Sequence, residues 1–349
     1  MILLVREMEF LFTTFFIHLK VFYFNLATTS DMIQVISNNL STLKMNSDVQ
    51  SLLSTNPLFL ENLSDAAKTI KGSTEIVQKA LHFIKSTEKT RIKKAKGYEF
   101  VSVLSYSGQS NVVVLKAISI KNEAYCAKVG PKKIILDEFN VGEIVKGECI
   151  MPVIDFIELN DGRAIMITPL YSIGSVANYC SKLVDVSGFV DEQVAVCFLL
   201  CGLSAIYKFS EKSLCHCDIK LENFVMLGLT KFVLIDFGSV CKFGDIMKSS
   251  TPLYSFAYSD TYTRYDINGL TISVGFLLTR KADQFRNRDH LLKSVENLGY
   301  KIVLEMLNRM MIDEDLNLDE FGRMWRNVYE YAVETIEVVK DCSFLKPAC

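Results

Sequence analysis

Apolar residues follow two different rhythms along this chain. Between Tyr98 and Val129 they come in short runs rich in Val and Ile, Tyr98–Leu104, Val112–Ile120 and Ala124–Val129, separated by a Ser-Gly turn and a Lys-Asn-Glu turn. Such runs predict β-strands. A fourth run, Ala164–Thr168, reads as a buried strand. Further on the spacing becomes helical: Asp191–Ser210 with an acidic first turn, an apolar run opened by Asp266 and reaching Leu278, and several amphipathic helices over 285–339.

The first 97 residues fit neither rhythm closely. Residues 1–29 form an apolar leader crowded with aromatics, but its main apolar stretch, Phe10–Ile17, is shorter than the roughly 20 residues of a spanning helix, and His18 and Lys20 interrupt the remainder of the leader. Two readings stay open: an upstream extension with true initiation at Met8, Met32 or Met45, or membrane association through residues 1–27. Residues 30–97 are rich in Ser, Thr and Asn, with Val77, Ala80, Leu81 and Ile84 at helical spacing. They end in a basic cluster, Lys89, Arg91, Lys93, Lys94 and Lys96, that reads as a solvated linker face or a lipid-headgroup contact.

The chemistry concentrates in Leu214–Gly238. Two strand-like pieces, Phe224–Leu227 and Phe232–Ile235, flank a short turn containing Gly228. Antiparallel pairing gathers Asp218, Lys220 and Asn223, which precede the first piece, next to Asp236, which closes the second. Two carboxylates, an amide and an ammonium in one small space suit phosphoryl transfer, where catalysis is mostly positioning and charge stabilisation. Asp236 and Asn223 offer hard oxygens to Mg²⁺. Asp218 is placed to orient an attacking hydroxyl and accept its proton, and Lys220 to offset phosphoryl charge.

On these residues the chain resembles the eukaryotic protein kinases, whose catalytic loop reads His-Arg-Asp-x-x-x-x-Asn and whose metal loop reads Asp-Phe-Gly. His216-Cys217-Asp218 with Asn223 fits the first except for the arginine, and Asp236-Phe237-Gly238 fits the second. Asn223 and Asp236 stand 13 positions apart (236 − 223), the spacing usual in that family. A lysine two positions after Asp218 resembles the serine/threonine branch. The resemblance implies an α+β, bilobal protein-kinase-like fold over residues 98–342: a small antiparallel β-sheet N-lobe (98–168), a hinge (169–174) whose backbone binds adenine, and a mainly helical C-lobe (175–342). It also implies ATP and Mg²⁺ as cofactors and a Ser/Thr hydroxyl of a protein as acceptor.

Further residues are assigned only by that resemblance. Ser107, Gly108 and Val112 belong to the turn at the place of the phosphate loop, where serines stand at the three glycine positions. Lys128 takes the place of the strand lysine that holds the α- and β-phosphates. Its partner is Glu138, counting back from Gly147, Ile150, Met151 and Pro152 in casein-kinase fashion, or Glu143, counting forward. The first is favoured because Val141, Ile144 and Val145 then form a packing face. Thr168 gates the back of the pocket. Asp266 either binds backbone N–H groups of the catalytic loop or simply caps its own helix.

Two departures matter. Cys217 replaces the arginine that receives a loop phosphate, which predicts constitutive or partner-controlled activity. Phe256-Ala257-Tyr258 replaces Ala-Pro-Glu after Thr251-Pro252-Leu253-Tyr254. An active serine/threonine kinase is therefore weighed against a pseudokinase scaffold and a small-molecule kinase. A net charge of −2 gives no reason to expect nucleic acid as a partner. The ten cysteines lack paired zinc-ligand spacing. They read as reduced thiols of an intracellular, cytoplasmic protein, with Cys197 and Cys201 facing a core.

Overall fold

The computed structural model describes residues 94–107, 111–185, 190–245, 254, 262–280, 285, 287–310 and 316–347. The leader, the extension as far as residue 93, Gly108, and the segments 251–253 and 256–258 lie outside the described residues. The described residues divide into two units, one on either side of the Lys121–Asn122 boundary.

In the first unit, β1 (Lys94–Ala95), β2 (Tyr98–Ser107) and β3 (Val112–Ser119) form an antiparallel meander. Lys96 and Gly97, at φ 45° and 84°, make the two-residue turn between β1 and β2. Both need the left-handed region, which favours glycine at the second position. Register shifts at Phe100/Ser102 and Val103/Ser105 mark bulges in β2. The β2–β3 pairing ends at Ser107 opposite Val112, whose side chain is buried.

The second unit starts with β4 (Ala124–Pro131), β5 (Asp155–Glu158) and β6 (Arg163–Pro169), in the order β4-β6-β5 and antiparallel throughout. The middle strand, β6, buries Ala164–Ile167 on both faces, as a strand covered on two sides must. Helix α1 (Lys132–Ile144) follows β4 directly and buries Ile135, Glu138 and Gly142. Of the packing face expected at Val141, Ile144 and Val145, Val145 just past the helix end is 1% exposed and Val141 packs against the core, but Ile144 is 54% exposed. The i, i+3, i+7 series of the buried side therefore runs through a glutamate and a glycine that hydropathy does not flag.

Helices α2 (Val176–Asp185) and α3 (Glu192–Ser210) come next. Asp191 caps α3 by accepting from Gln193 N at 2.8 Å. Nearly every residue of α3 is buried, so it lacks a polar face. Phe198 packs edge-on against Phe224 and Phe232, 4.9 and 5.4 Å away. Tyr207 lies 5.2 Å from Trp325. The chain continues through β7 (Leu214–Cys215), a 3₁₀ turn Leu221–Asn223, β8 (Phe224–Met226), β9 (Phe232–Leu234), a second 3₁₀ turn Phe237–Ser239 and β10 (Cys241–Lys242).

Helix α4 (Tyr262–Thr279) crosses α3 closely, because a Cβ on Gly202 would stand only 2.3 Å from Leu270 Cδ1. Helices α5 (Arg288–Asn297), α6 (Lys301–Met310), α7 (Leu318–Thr335) and α8 (Glu337–Lys340) complete the helical part. Asn317 and Glu320 form a reciprocal capping box at the start of α7. Across the core, Glu192 Oε1 accepts from Ile302 N and Val303 N at 2.7 and 3.0 Å. The first turn of α3 thereby satisfies N–H groups at the start of α6 that have no partner within their own helix.

Candidate active site

Strands β8 and β9 pair from Phe224–Leu234 to Met226–Phe232, and Ile235 N donates to Asn223 O at 2.8 Å just past the ladder. The hairpin is anchored on its other edge by Met151 N to Leu234 O and Leu234 N to Cys149 O, both 2.9 Å. Two ends carrying polar side chains are thus held against a rigid, buried base. From the first end, Asn223 Nδ2 donates to both the backbone oxygen and Oδ2 of Asp218, each at 2.9 Å. Lys220 Nζ reaches the same Asp218 Oδ2 at 2.7 Å.

At the second end, Asp236 adopts φ 65°, ψ 79°. A non-glycine residue in the left-handed region is strained unless its surroundings hold it there. Here an ion pair does so. Lys128 Nζ, from β4, lies 2.7 Å from Asp236 Oδ1 and 2.7 Å from Glu138 Oε2 on α1. Glu143 is exposed and pairs with Lys146 at 3.4 Å. One ammonium therefore serves two carboxylates of unequal burial: Glu138 is almost wholly buried and Asp236 is 46% exposed.

The electrostatics follow from that inequality. Burial disfavours the charge on Lys128, but Asp236 and Glu138 outweigh it, and its pKa is raised. Surrounding protein also pushes Asp236 up, yet Lys128 lowers it further, so it stays ionised. For Glu138 burial wins over Lys128 and Asp236 adds repulsion, so its pKa is raised. With two carboxylates sharing one cation, the more buried one is the easier to protonate. Gly238 fits beside them because a Cβ there would meet Glu138 Oε1 at 3.1 Å.

Beneath the loop lies a different set of contacts. Asp266 sits inside α4, not at its cap, and accepts from His216 N at 2.7 Å and Cys217 N at 2.9 Å. This holds Cys217 at φ 64°, immediately before Asp218. His216 is fully buried, and its Nε2 contacts Ile235 O at 3.2 Å, a bond between the two ends of the hairpin. Among the described residues its Nδ1 has no hydrogen-bond partner. A protonated Nδ1 would be an orphaned buried donor, and burial lowers the His216 pKa to about 4. Burial likewise raises Asp266 to about 7.

Residues 99–264 match the family model described as the protein kinase domain. The chain carries a protein kinase domain. A search of curated proteins returns no match. The α+β architecture, antiparallel strands followed by a mainly helical part, is that of the family. Protein kinase domains form a family of phosphotransferases that act on proteins.

Within the kinase domain the expected residues fall in four groups. Lys128, Glu138 and Asp236 form one contact cluster, and Asp218, Lys220 and Asn223 another on the same hairpin. Thr168 is half-buried on β6, opposite Cys126 in the register and hydrogen-bonded to its thiol. Ser107 and Val112 end the β2–β3 pairing in the other unit, and Gly108 lies outside the described residues. Gly142 and Cys241 are not among the residues expected from the sequence, and His216 enters that reading only as part of the catalytic-loop motif. Gly142 leaves room for the Phe237 ring, which a Cβ would meet at 3.3 Å. His216 links the hairpin ends. Cys241 lies against Cys217, Sγ to Sγ 3.1 Å. A glycine on a helix is a readable signal for the first; no spacing rule points to Cys241.

Proposed function

We propose that the chain is an active serine/threonine protein kinase that transfers the γ-phosphoryl group of Mg²⁺-ATP to a hydroxyl of a protein substrate. The observation that carries this reading is the bridging of Lys128 to both Glu138 and Asp236 at 2.7 Å. It sets a phosphate-binding cation and a metal-binding carboxylate in contact, as phosphoryl transfer requires.

The donor set fits magnesium. Among the described residues no cluster of three or more His, Cys, Asp or Glu side chains forms a cage for a metal ion by itself. Asp236 and Asn223 instead offer one carboxylate and one amide oxygen. The Asn223 nitrogen faces Asp218, which turns the amide oxygen the other way. Two hard oxygens suit an ion that keeps waters and phosphate oxygens as its remaining ligands. When bound, Mg²⁺ neutralises charge that builds on the transferred group.

The residues of the chain do the rest. Asp218 orients the acceptor hydroxyl and takes its proton, while Asn223 fixes the carboxylate through two hydrogen bonds. Lys220, 2.7 Å from Asp218, stands ready to move its charge toward the phosphoryl oxygens. Lys128 positions the nucleotide and Glu138 positions Lys128. By the family resemblance Thr168 is assigned to the nucleotide pocket, and Ser107, Gly108 and Val112 to the phosphate loop. Cys217, lacking a guanidinium, leaves activity independent of loop phosphorylation. We place the protein in the cytoplasm, with residues 1–27 as a route to membranes.

The test is ATP-dependent phosphorylation of generic protein substrates. Asp218→Asn is expected to lower kcat by about 10²–10⁴-fold, the contribution typical of a positioned base. Asp236→Asn is expected to lower it by at least about 10²-fold. Absence of transfer by the folded parent protein, together with failure to bind Mg²⁺-ATP, would overturn this reading in favour of a scaffold.

A further inference from the structure

Three thiols meet directly beneath the catalytic loop. Cys215 on β7 stands opposite Cys241 on β10 in the antiparallel register, and Cys217 lies two residues beyond Cys215. Cys217 Sγ is 3.1 Å from Cys241 Sγ, and all three side chains are buried with Tyr265 in a small cluster of their own. Among the described residues no cysteine is in a disulfide. The sulfurs of Cys217 and Cys241 need to close by only about 1 Å to reach the bond length of about 2.0 Å. Cys215 is less well placed, because its thiol donates to Tyr262 O at 3.0 Å.

We propose that Cys217 and Cys241 are a modification site: a peroxide oxidises them to a reversible disulfide that ties the catalytic loop to the segment after Asp236-Phe237-Gly238. The route in is the β7–β10 ladder, which is two residues long and is followed by the exposed run Lys242–Asp245. When it opens, the Cys241 sulfur attacks one peroxide oxygen. The O–O bond breaks, water leaves, and Cys241 becomes a sulfenic acid. The Cys217 sulfur then attacks that sulfur. An S–S bond forms, the S–O bond breaks, and the departing hydroxide takes the Cys217 proton to give a second water. The two sulfurs together lose two electrons and the peroxide gains them.

The consequence follows from position. Cys217 holds a strained φ of 64° only because Asp266 fixes its N–H and that of His216, and Asp218 is the next residue. Drawing its sulfur toward Cys241 shifts the carboxylate that Asn223 and Lys220 align. Misplacement of a catalytic group by about 1 Å costs on the order of 10²-fold in rate. Oxidation therefore turns phosphoryl transfer off, a statement that rests on the function proposed above; formation of the disulfide does not.

The experiment is peroxide treatment of the full chain, then tryptic mapping without reductant. The expected product joins peptide 213–220, which holds Cys215 and Cys217, to peptide 232–242, which holds Cys241. It should vanish with dithiothreitol and in Cys217→Ser and Cys241→Ser, and persist in Cys215→Ser. Failure to find it, or persistence in Cys217→Ser, would overturn the assignment. In parallel, oxidation should lower transfer activity at least tenfold in the parent protein, reversibly, and leave Cys241→Ser unaffected. A linked protein with undiminished activity would overturn the switch. A linked protein inactive in both redox states would instead overturn the kinase reading and keep the disulfide.

Discussion

The face of the hairpin that carries Asp218 and Asp236 and the underside of the same loop solve one problem with opposite chemistry. On the upper side, charges hold the geometry: Lys128 with Glu138 and Asp236, Lys220 with Asp218. On the underside, where the resembled family keeps an arginine, thiols and a neutral histidine fill the space, and Asp266 supplies the hydrogen bonds. Ion pairs hold the side to which the proposed function brings phosphate, and the underside relies on one buried carboxylate and neutral groups. The loop is held from α4 by the side chain of Asp266, which accepts from its backbone N–H groups, with no cation among these contacts.

That contrast makes graded predictions. Removing the acceptor of the underside should have the largest effect on stability. Asp266→Ala leaves two buried N–H groups unpaired at about 1–3 kcal/mol each, so urea unfolding should show a loss of about 2–6 kcal/mol. A loss below about 1 kcal/mol would mean the loop is held by something else.

The pH dependence is next in size. His216 has a folded pKa of about 4 against 6.5 for the free group. Its depressed value means the contribution is fully present above 6.5 and is lost as pH falls through 4, up to about 3 kcal/mol. Asp266 acts with the opposite sign. Its folded pKa, raised from 3.8 to about 7, makes its contribution fully present below 3.8 and lost as pH rises through 7. Stability measured by unfolding from pH 4 to 7.5 should therefore fall less steeply toward the acid end for His216→Gln. The gap between the parent and Asp266→Asn should narrow as pH rises.

The smallest effects separate the two glutamates of α1. Glu138→Gln removes a charge-assisted hydrogen bond worth about 1.5–3 kcal/mol, which corresponds to about a ten- to hundredfold loss in kcat/KM. Glu143→Gln, on the exposed side, should stay within about twofold of the parent protein. Equal losses in the two variants would break the assignment of Lys128 to Glu138.

How far the sequence foretells this arrangement depends on the range of the interaction. The hairpin is legible because charged residues cluster at the ends of two short apolar runs, a local signal. Helix α3 is legible from its apolar length and acidic start. The buried stripe of α1 is not, since Glu138 and Gly142 occupy core positions and Ile144 faces solvent. Choosing between Glu138 and Glu143 leans on a packing face of which Val141 and Val145 do turn inward and Ile144 does not. The apolar rhythm places the start of α4 four residues late, because Tyr-Thr-Arg-Tyr shows no helical pattern. Cys241 is illegible altogether, as its partner is reached through a two-residue ladder between strands far apart in sequence.

The contact from Glu192 to Val303 spans 111 positions. Helix α3 is the one described helix long and apolar enough to cross a membrane by length and composition. On a ribosome adding about 5–20 residues per second, it would wait about 6–20 s for α6 to arrive and complete a cover that β8, β9 and α4 begin. During that interval its flanks are sticky, so newborn chains should lean heavily on chaperones.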